Sequence, residues 1–370
     1  MSDELFIQSE LALHEAWPEQ DMESVRICPM CESEQRTLEY SGVKDWVFGC
    51  AAGSWIYSRC DSCRSLYLDP RPTEATIGKA YANYYTHSPD VRADKASLRN
   101  SAFRVAVAIK QGFLNFHFGT NLKNSIALPT FIYRILGKFE LLPRIFLQDI
   151  EWSNPGKMLD LGCGDGRSML VAERFGWTVT GIEIDSAAVK SAIKNGLDVR
   201  LGSYRDIVGL KRKFDLIVCS HVIEHVHNPR ELLSLALASL EDGGQLWLQW
   251  PNPKSDGLKK YGIHWRGLEA PRHLCLPSID SIISFAESNE SASFVVKDNS
   301  KYWKWAQMTG YEASENIKNG GFLRSGAGQF NVLRAAIRFL LTKRNIAECE
   351  VCTVTIKKHI KPIVGEPNSQ

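Results

Sequence analysis

The chain has 370 residues, of which 44% are hydrophobic, and a net charge of +2. That much apolar side chain excludes a disordered protein, and the length predicts two or three modules. No apolar run is long enough to cross a bilayer without charges, and Met1-Ser2-Asp3-Glu4-Leu5 does not open a signal peptide, so a cytoplasmic location is expected.

Residues 1 to 40 hold ten acidic and two basic residues, and the first 25 read as a polar lead-in. From about 26 to 80 the chain predicts a small lobe built on two Cys-x-x-Cys pairs, Cys28 with Cys31 and Cys60 with Cys63, separated by a strand-rich stretch. Ten cysteines in a cytosolic chain are not expected to form disulfides, whereas two such pairs can present four thiolates tetrahedrally to Zn2+. Four protein ligands leave no open position, so the ion is expected to be structural, stapling a lobe (residues 1–80) with too small a core of its own. Cys349 and Cys352 share the spacing, but in a predicted strand their side chains point to opposite faces, and they read as packing residues.

The prolines of Asp69-Pro70-Arg71-Pro72 favour an extended exit from the lobe. An aromatic cluster follows, Tyr81-Ala82-Asn83-Tyr84-Tyr85-Thr86-His87, and the pattern between about 95 and 150 is helical, with Phe131, Ile135, Phe139 and Leu142 sharing one face. Residues 81–150 are therefore expected to be a linker or lid. Residues 91 to 148 hold nine basic and two acidic residues, which suits an anionic partner such as a sugar nucleotide, a membrane surface or the acidic N-terminal segment, and equally a solvated face.

From residue 151 onward strands and helices alternate. Leu159-Asp160-Leu161 reads as the end of a buried parallel strand, followed by a turn in which Gly162, Gly164 and Gly166 let the backbone approach a ligand more closely than any side chain would allow. Val179 to Ile184 predicts a second strand with Glu183 at its C-terminal end, where a carboxylate can accept both ribose hydroxyls. A short strand is expected at Asp198 to Leu201, and a fourth, buried one at Phe214 to Ser220 runs into a histidine-bearing helix start. Next come a helix from Glu231 to Leu240, a turn at Glu241-Asp242-Gly243-Gly244, and a strand from Gln245 to Trp250 stopped by Pro251. Residues 302–346 look like a helical insertion, and Val351 to Ile356 is expected to close the sheet as an antiparallel edge.

With Asp160, Gly162, Gly164 and Gly166 matching its first motif and Glu183 its ribose-binding acid, the stretch from about 150 to 300 resembles a class I S-adenosylmethionine-dependent methyltransferase. The resemblance implies an α/β fold with a doubly wound, mainly parallel, seven-stranded Rossmann-like sheet over residues 151–370. It also implies S-adenosyl-L-methionine as methyl donor, with Ser220 as a further cofactor contact. A domain binding NAD or another adenosine ligand is the alternative, but the third glycine comes one residue too early for the diphosphate loop.

Methyl transfer from a sulfonium needs in-line approach and, where the acceptor carries a proton, a base. His225, His264 and His273 stand at loop or helix-start positions, and Arg272 could hold a phosphate or carboxylate of the acceptor. His264 and Arg272 are therefore candidates for substrate binding. A four-cysteine lobe, a tyrosine-rich turn, His225 after the fourth strand and Arg272-His273-Leu274 after the fifth are together similar to bacterial enzymes that methylate nucleotide-linked sugars. That resemblance implies His225, His273 and Tyr84 or Tyr85 acting on a keto sugar through proton removal and an enolate. The sugar C-methyltransferases have Glu-His where this chain has Arg272-His273, and O-methylation of a sugar hydroxyl fits nearly as well. Two rival functions stay open. One is an RNA methyltransferase whose zinc lobe binds RNA, although Arg26, Arg36, Lys44, Arg59, Arg64 and Arg71 are balanced by neighbouring acids and nucleic acid is not expected. The other is an adaptor that binds the methyl donor without turnover.

Overall fold

The computed structural model describes residues 17–49, 51–81, 154–289, 293–298, 313–319 and 349–359, with four isolated positions besides. The helices expected between about 95 and 150, and most of the expected insertion 302–346, lie outside the described residues. The chain divides into two compact units, one of residues 1–83 with 203–370 and one of residues 84–202.

The first unit opens with strands β1 (Met22–Glu23), β2 (Arg36–Val43), β3 (Trp55–Cys60), β4 (Leu66–Leu68) and β5 (Arg71–Pro72). β1 pairs antiparallel with β5, and β2, β3 and β4 form an antiparallel meander. Their apolar side chains do not close a core by themselves. Trp17, Val43, Trp55, Tyr57, Leu66 and Leu68 share one buried cluster with Leu258, Tyr261, Trp265, Leu268, Leu274 and Leu276.

The second unit is a run of parallel β–α steps: β6 (Lys157–Leu161), α1 (Arg167–Arg174), β7 (Thr178–Glu183), α2 (Ser186–Lys194) and β8 (Val199–Leu201). Every residue of β6 and β7 after the first is buried, as expected of parallel strands covered on both faces. Asp185 caps α2, its carboxylate accepting the Ala187 N–H at 2.8 Å.

The remainder of the first unit carries β9 (Phe214–Ser220), α3 (Pro229–Ala238), β10 (Leu240–Pro251), α4 (Asp256–Tyr261), β11 (Cys275–Leu276), α5 (Ile279–Glu287), β12 (Ser293–Asp298) and β13 (Val351–His359). Asn228 caps α3 by accepting the Glu231 N–H at 3.0 Å, and Pro229 occupies the first helical turn, where its missing N–H costs nothing. The seven-stranded sheet has the order β12-β13-β10-β9-β6-β7-β8, and a four-stranded sheet has the order β11-β4-β3-β2. The fold is thus the α/β, mostly parallel arrangement expected.

Two expectations are corrected. The turn expected at residues 241–244 is an irregularity inside the continuous strand β10, with a register shift between Leu240 and Gln245. Gly243 supplies a positive φ of 80° there, and a Cβ on Gly244 would lie 2.9 Å from the Phe214 carbonyl, so the strand can continue only with these glycines. The strand expected at the sheet edge, now β13, lies between β10 and β12 and pairs antiparallel with both. Among the described residues no helix is long and apolar enough to cross a membrane.

Candidate functional site

In the second unit, β6 ends in a loop whose three glycines all adopt positive φ: 71° at Gly162, 55° at Gly164 and 80° at Gly166. A Cβ on Gly166 would come within 2.2 Å of Leu197 Cδ1, so both conformation and space demand glycine. Glu183, buried at the end of β7, fixes this loop: Oε2 accepts the Gly164 N–H at 2.8 Å and Oε1 the Asp185 N–H at 2.9 Å. Each oxygen keeps a second lone pair for a ligand hydroxyl. Asp160 is buried in β6 and accepts a hydrogen bond from the Ser168 hydroxyl. Burial pushes its carboxyl up to about 7; the Ser168 bond opposes that shift and the charge of Glu183 adds to it. A loop with three glycines in five residues, flanked by two carboxylates, has the chemistry to fit the adenosyl and amino-acid ends of S-adenosylmethionine.

In the first unit, the turn after β9 brings histidines and carboxylates together. His221 has a left-handed φ of 56° and donates its backbone N–H to Gln249 O at 2.8 Å. Its Nδ1 lies 3.0 Å from Oε1 of Glu224, a side chain with 0% exposure. Burial works to raise the Glu224 carboxyl, yet the His221 hydrogen bond and the neighbouring histidines hold it below its ordinary range. His225 Nδ1 sits 3.0 Å from the Tyr81 hydroxyl and 3.1 Å from the Arg272 carbonyl. The His225 and His273 rings meet edge to face with centroids 4.7 Å apart. Burial depresses His273 to about 4, so at neutral pH its imidazole is uncharged.

The segment bearing His273 is anchored to the first strands of the same unit. The Tyr57 hydroxyl lies 2.6 Å from Leu268 O and 2.7 Å from His273 O, and its proton is shared between them. Arg272 is 0% exposed, pairs with Asp45 and Glu269, donates to Ala80 O at 2.9 Å and stacks over Phe48. It was expected to face an anionic acceptor; instead its charge is compensated inside the protein, because two buried carboxylates require it there.

The four cysteines converge as the spacing predicts. Their sulfurs lie within 4.8 Å of one another, with Cys28–Cys63 at 3.6 Å and Cys31–Cys60 at 3.4 Å. Four sulfurs about 2.3 Å from a tetrahedral zinc are about 3.8 Å apart, so the set fits Zn2+. The two loops repeat one geometry. Glu32 and Arg64 take φ of 61° and 64°, and their N–H groups return to Cys28 O and Cys60 O at 2.9 and 3.0 Å. Met30 N–H and Cys63 N–H also point at Cys28 Sγ and Cys60 Sγ, both at 3.4 Å, as donors to thiolates do.

Of the other predicted residues, Ser220 closes β9 opposite Gln249. His264 packs against Trp46, with ring centroids 5.7 Å apart, and is not part of the His225–His273 cluster. Tyr84 and Tyr85 lie outside the described residues; the tyrosine that reaches His225 is Tyr81, first of the same aromatic cluster. His221, Glu224, Tyr57, Asp45 and Glu269 were missed. The signal for His221 and Glu224 was their place in the same post-β9 turn as His225, whereas Tyr57 and Asp45 meet their partners across more than 200 residues of sequence.

The family model described as a methyltransferase domain matches residues 134–289. Over those residues the match and the sheet order agree with a methyltransferase domain of the class I, Rossmann-like kind. The chain is 33% identical over 121 residues to a ubiquinone biosynthesis O-methyltransferase of Pseudomonas entomophila, covering 30% of this chain and 51% of that protein. It is 29% identical over 124 residues to the ribosomal RNA small subunit methyltransferase C of Alcanivorax borkumensis, covering 30% and 38%. The chain thus spans about half the length of the ubiquinone-pathway relatives it matches. Among solved structures, the plantazolicin methyltransferase BpumL in complex with SAH aligns at 13% identity and a TM-score of 0.38, over 76% of this chain and 94% of that one. A SAM-dependent methyltransferase from Archaeoglobus fulgidus aligns at 20% identity and a TM-score of 0.37, over 61% and 94%.

Proposed function

We propose that this chain is an S-adenosylmethionine-dependent methyltransferase with a small-molecule acceptor, specifically a nucleotide-linked sugar. The observation that carries the reading is the loop in which Gly162, Gly164 and Gly166 all hold positive φ while Glu183 fixes its middle. Bound there, the cofactor supplies a methyl group on a sulfonium. Glu183 holds the ribose hydroxyls, Asp160 faces the amino-acid end, and Ser220 adds a cofactor contact. His225 and His273 are assigned to the acceptor, where the His273 imidazole, neutral at pH 7, can take or hold a proton, and His264 is a candidate for binding it. Tyr84 or Tyr85 joins them in the mechanism that the sugar-methylating resemblance implies. Cys28, Cys31, Cys60 and Cys63 hold a structural Zn2+. The nucleotide-sugar acceptor is supported by the combination of cysteine lobe, tyrosine-rich turn and paired histidines in that order.

The test is incubation with labelled methyl donor and a panel of nucleotide sugars, alongside calorimetry with S-adenosylhomocysteine. Label on a sugar nucleotide is the expected result, and absence of cofactor binding refutes the reading at its root. Binding without turnover on any acceptor would make the protein an adaptor. The ribosomal RNA methyltransferase among the relatives favours a second reading, RNA as acceptor. A salt-sensitive gel shift with bulk RNA would support that reading.

A further inference from the structure

In the turn after β9, one buried carboxylate oxygen has no hydrogen-bond partner. One oxygen of the buried Glu224 takes His221 Nδ1 at 3.0 Å, and the other, Oε2, is buried without a hydrogen-bond partner. A carboxylate oxygen stripped of water and left unpaired is costly, and native structures fill such a position with a donor or a cation. The two imidazoles beside it do not supply the donor. His273 Nδ1 lies 2.7 Å from the Gly267 carbonyl, which only accepts, so Nδ1 carries the proton and Nε2 presents a lone pair. His225 places Nδ1 3.1 Å from the Arg272 carbonyl, and donation there leaves its Nε2 in the same state. One ligand atom each from Glu224, His225 and His273 lies within 4.8 Å of the others.

Histidines that ligate a transition metal are usually oriented in this way, the other ring nitrogen donating to a backbone carbonyl, and one carboxylate oxygen completes the set. We propose that Glu224, His225 and His273 bind one divalent transition-metal ion, of the zinc or cobalt type, separate from the four-cysteine cluster. Mixed nitrogen and oxygen ligands suit such an ion and not Ca2+ or Mg2+, which take oxygen. Reaching ligand distances of about 2.0–2.2 Å draws the side chains together by on the order of 1 Å. The surrounding charge is favourable: Glu269 Oε2 lies 4.0 Å from His273 Nε2, while the nearby Arg272 is paired with Asp45 and Glu269. Three protein ligands leave open positions, and an acceptor oxygen occupying one would be polarised by the ion, so that in the metal-bound protein the two imidazoles would act on the acceptor through the ion and not as bases. That role rests on the proposed methyl transfer; ion binding does not.

The test is metal content of the full-length protein after titration with Zn2+ and, separately, Co2+, with S-adenosylhomocysteine calorimetry on the same samples. The wild type should saturate at two ions per chain. Glu224→Gln and His273→Ala should each fall to one ion, and Cys28→Ser should lose the other. With Co2+ the second ion should add a weak visible band with no thiolate charge-transfer absorption. Saturation of the wild type at a single ion overturns the proposal whether or not any variant folds, and so does a folded Glu224→Gln protein that keeps two. Loss of cofactor binding with two ions present would instead refute the methyltransferase reading and leave the ion site standing.

Discussion

The side chain proposed to capture the cofactor ribose is Glu183, which holds the Gly164 N–H and keeps lone pairs for a ligand hydroxyl. Glu183→Ala is expected to weaken S-adenosylhomocysteine binding at least tenfold, as read by calorimetry, since it removes both the ribose acceptor and the brace of the loop. Asp160 adds a pH dependence. With its carboxyl at about 7, it is largely protonated at pH 6, and a bound ammonium group favours the ionised form. Cofactor binding at pH 6 should therefore release a proton, and affinity should rise as pH increases toward about 8. Calorimetry in two buffers of different ionisation enthalpy reads the released proton directly, and Asp160→Asn should abolish it. A different balance governs Arg272. Arg272→Met removes the guanidinium that the buried carboxylates of Asp45 and Glu269 share, at a cost of about 3–5 kcal/mol in urea unfolding. An arginine contacting only the acceptor would leave stability unchanged and raise KM.

At the scale of elements, the meander β2-β3-β4 depends on its cysteine loops, because Cys60 ends β3 and its carbonyl accepts the Arg64 N–H that turns the chain into β4. With Zn2+ at the four cysteines as proposed, Cys60→Ser is expected to lose the ion and lower the melting temperature by several degrees or more, measured by metal analysis and thermal unfolding. The sequence showed this loop clearly, since ligand spacing is a local property, and it showed β6, β7, β9 and their glycine loop for the same reason. It did not show that Leu274 and Leu276 share a core with Trp55 and Leu68, or that Arg272 would be neutralised by Asp45. Those partners are set by tertiary packing of segments far apart in the chain, and neither periodicity nor motif spacing carries that information. The misplacement of β13 has a similar cause: an amphipathic antiparallel strand looks the same at an edge as one position inside it, and β12 was not recognised as its neighbour.

For the molecule as a whole, the acidic N-terminal segment and the basic stretch at residues 91–148 oppose each other in sign while the net charge stays at +2. If the acceptor is a sugar nucleotide, adding bulk RNA at physiological salt should leave turnover unchanged; if RNA is the acceptor, RNA should bind and the affinity should fall steeply with salt. A last consequence comes from β11, which pairs Cys275 with Tyr67 and Leu276 with Leu66 on the outer side of β4. Residues 66–68 emerge from the ribosome about 200 residues ahead of the strand that covers them, a delay on the order of 10–40 s at ordinary synthesis rates. Throughout that interval the nascent thiols sit beside an open strand border. Early metal capture would shield them from oxidation and discourage pairing with other nascent chains, so growth in zinc-poor medium should lower the soluble yield more than the activity of the molecules that do mature.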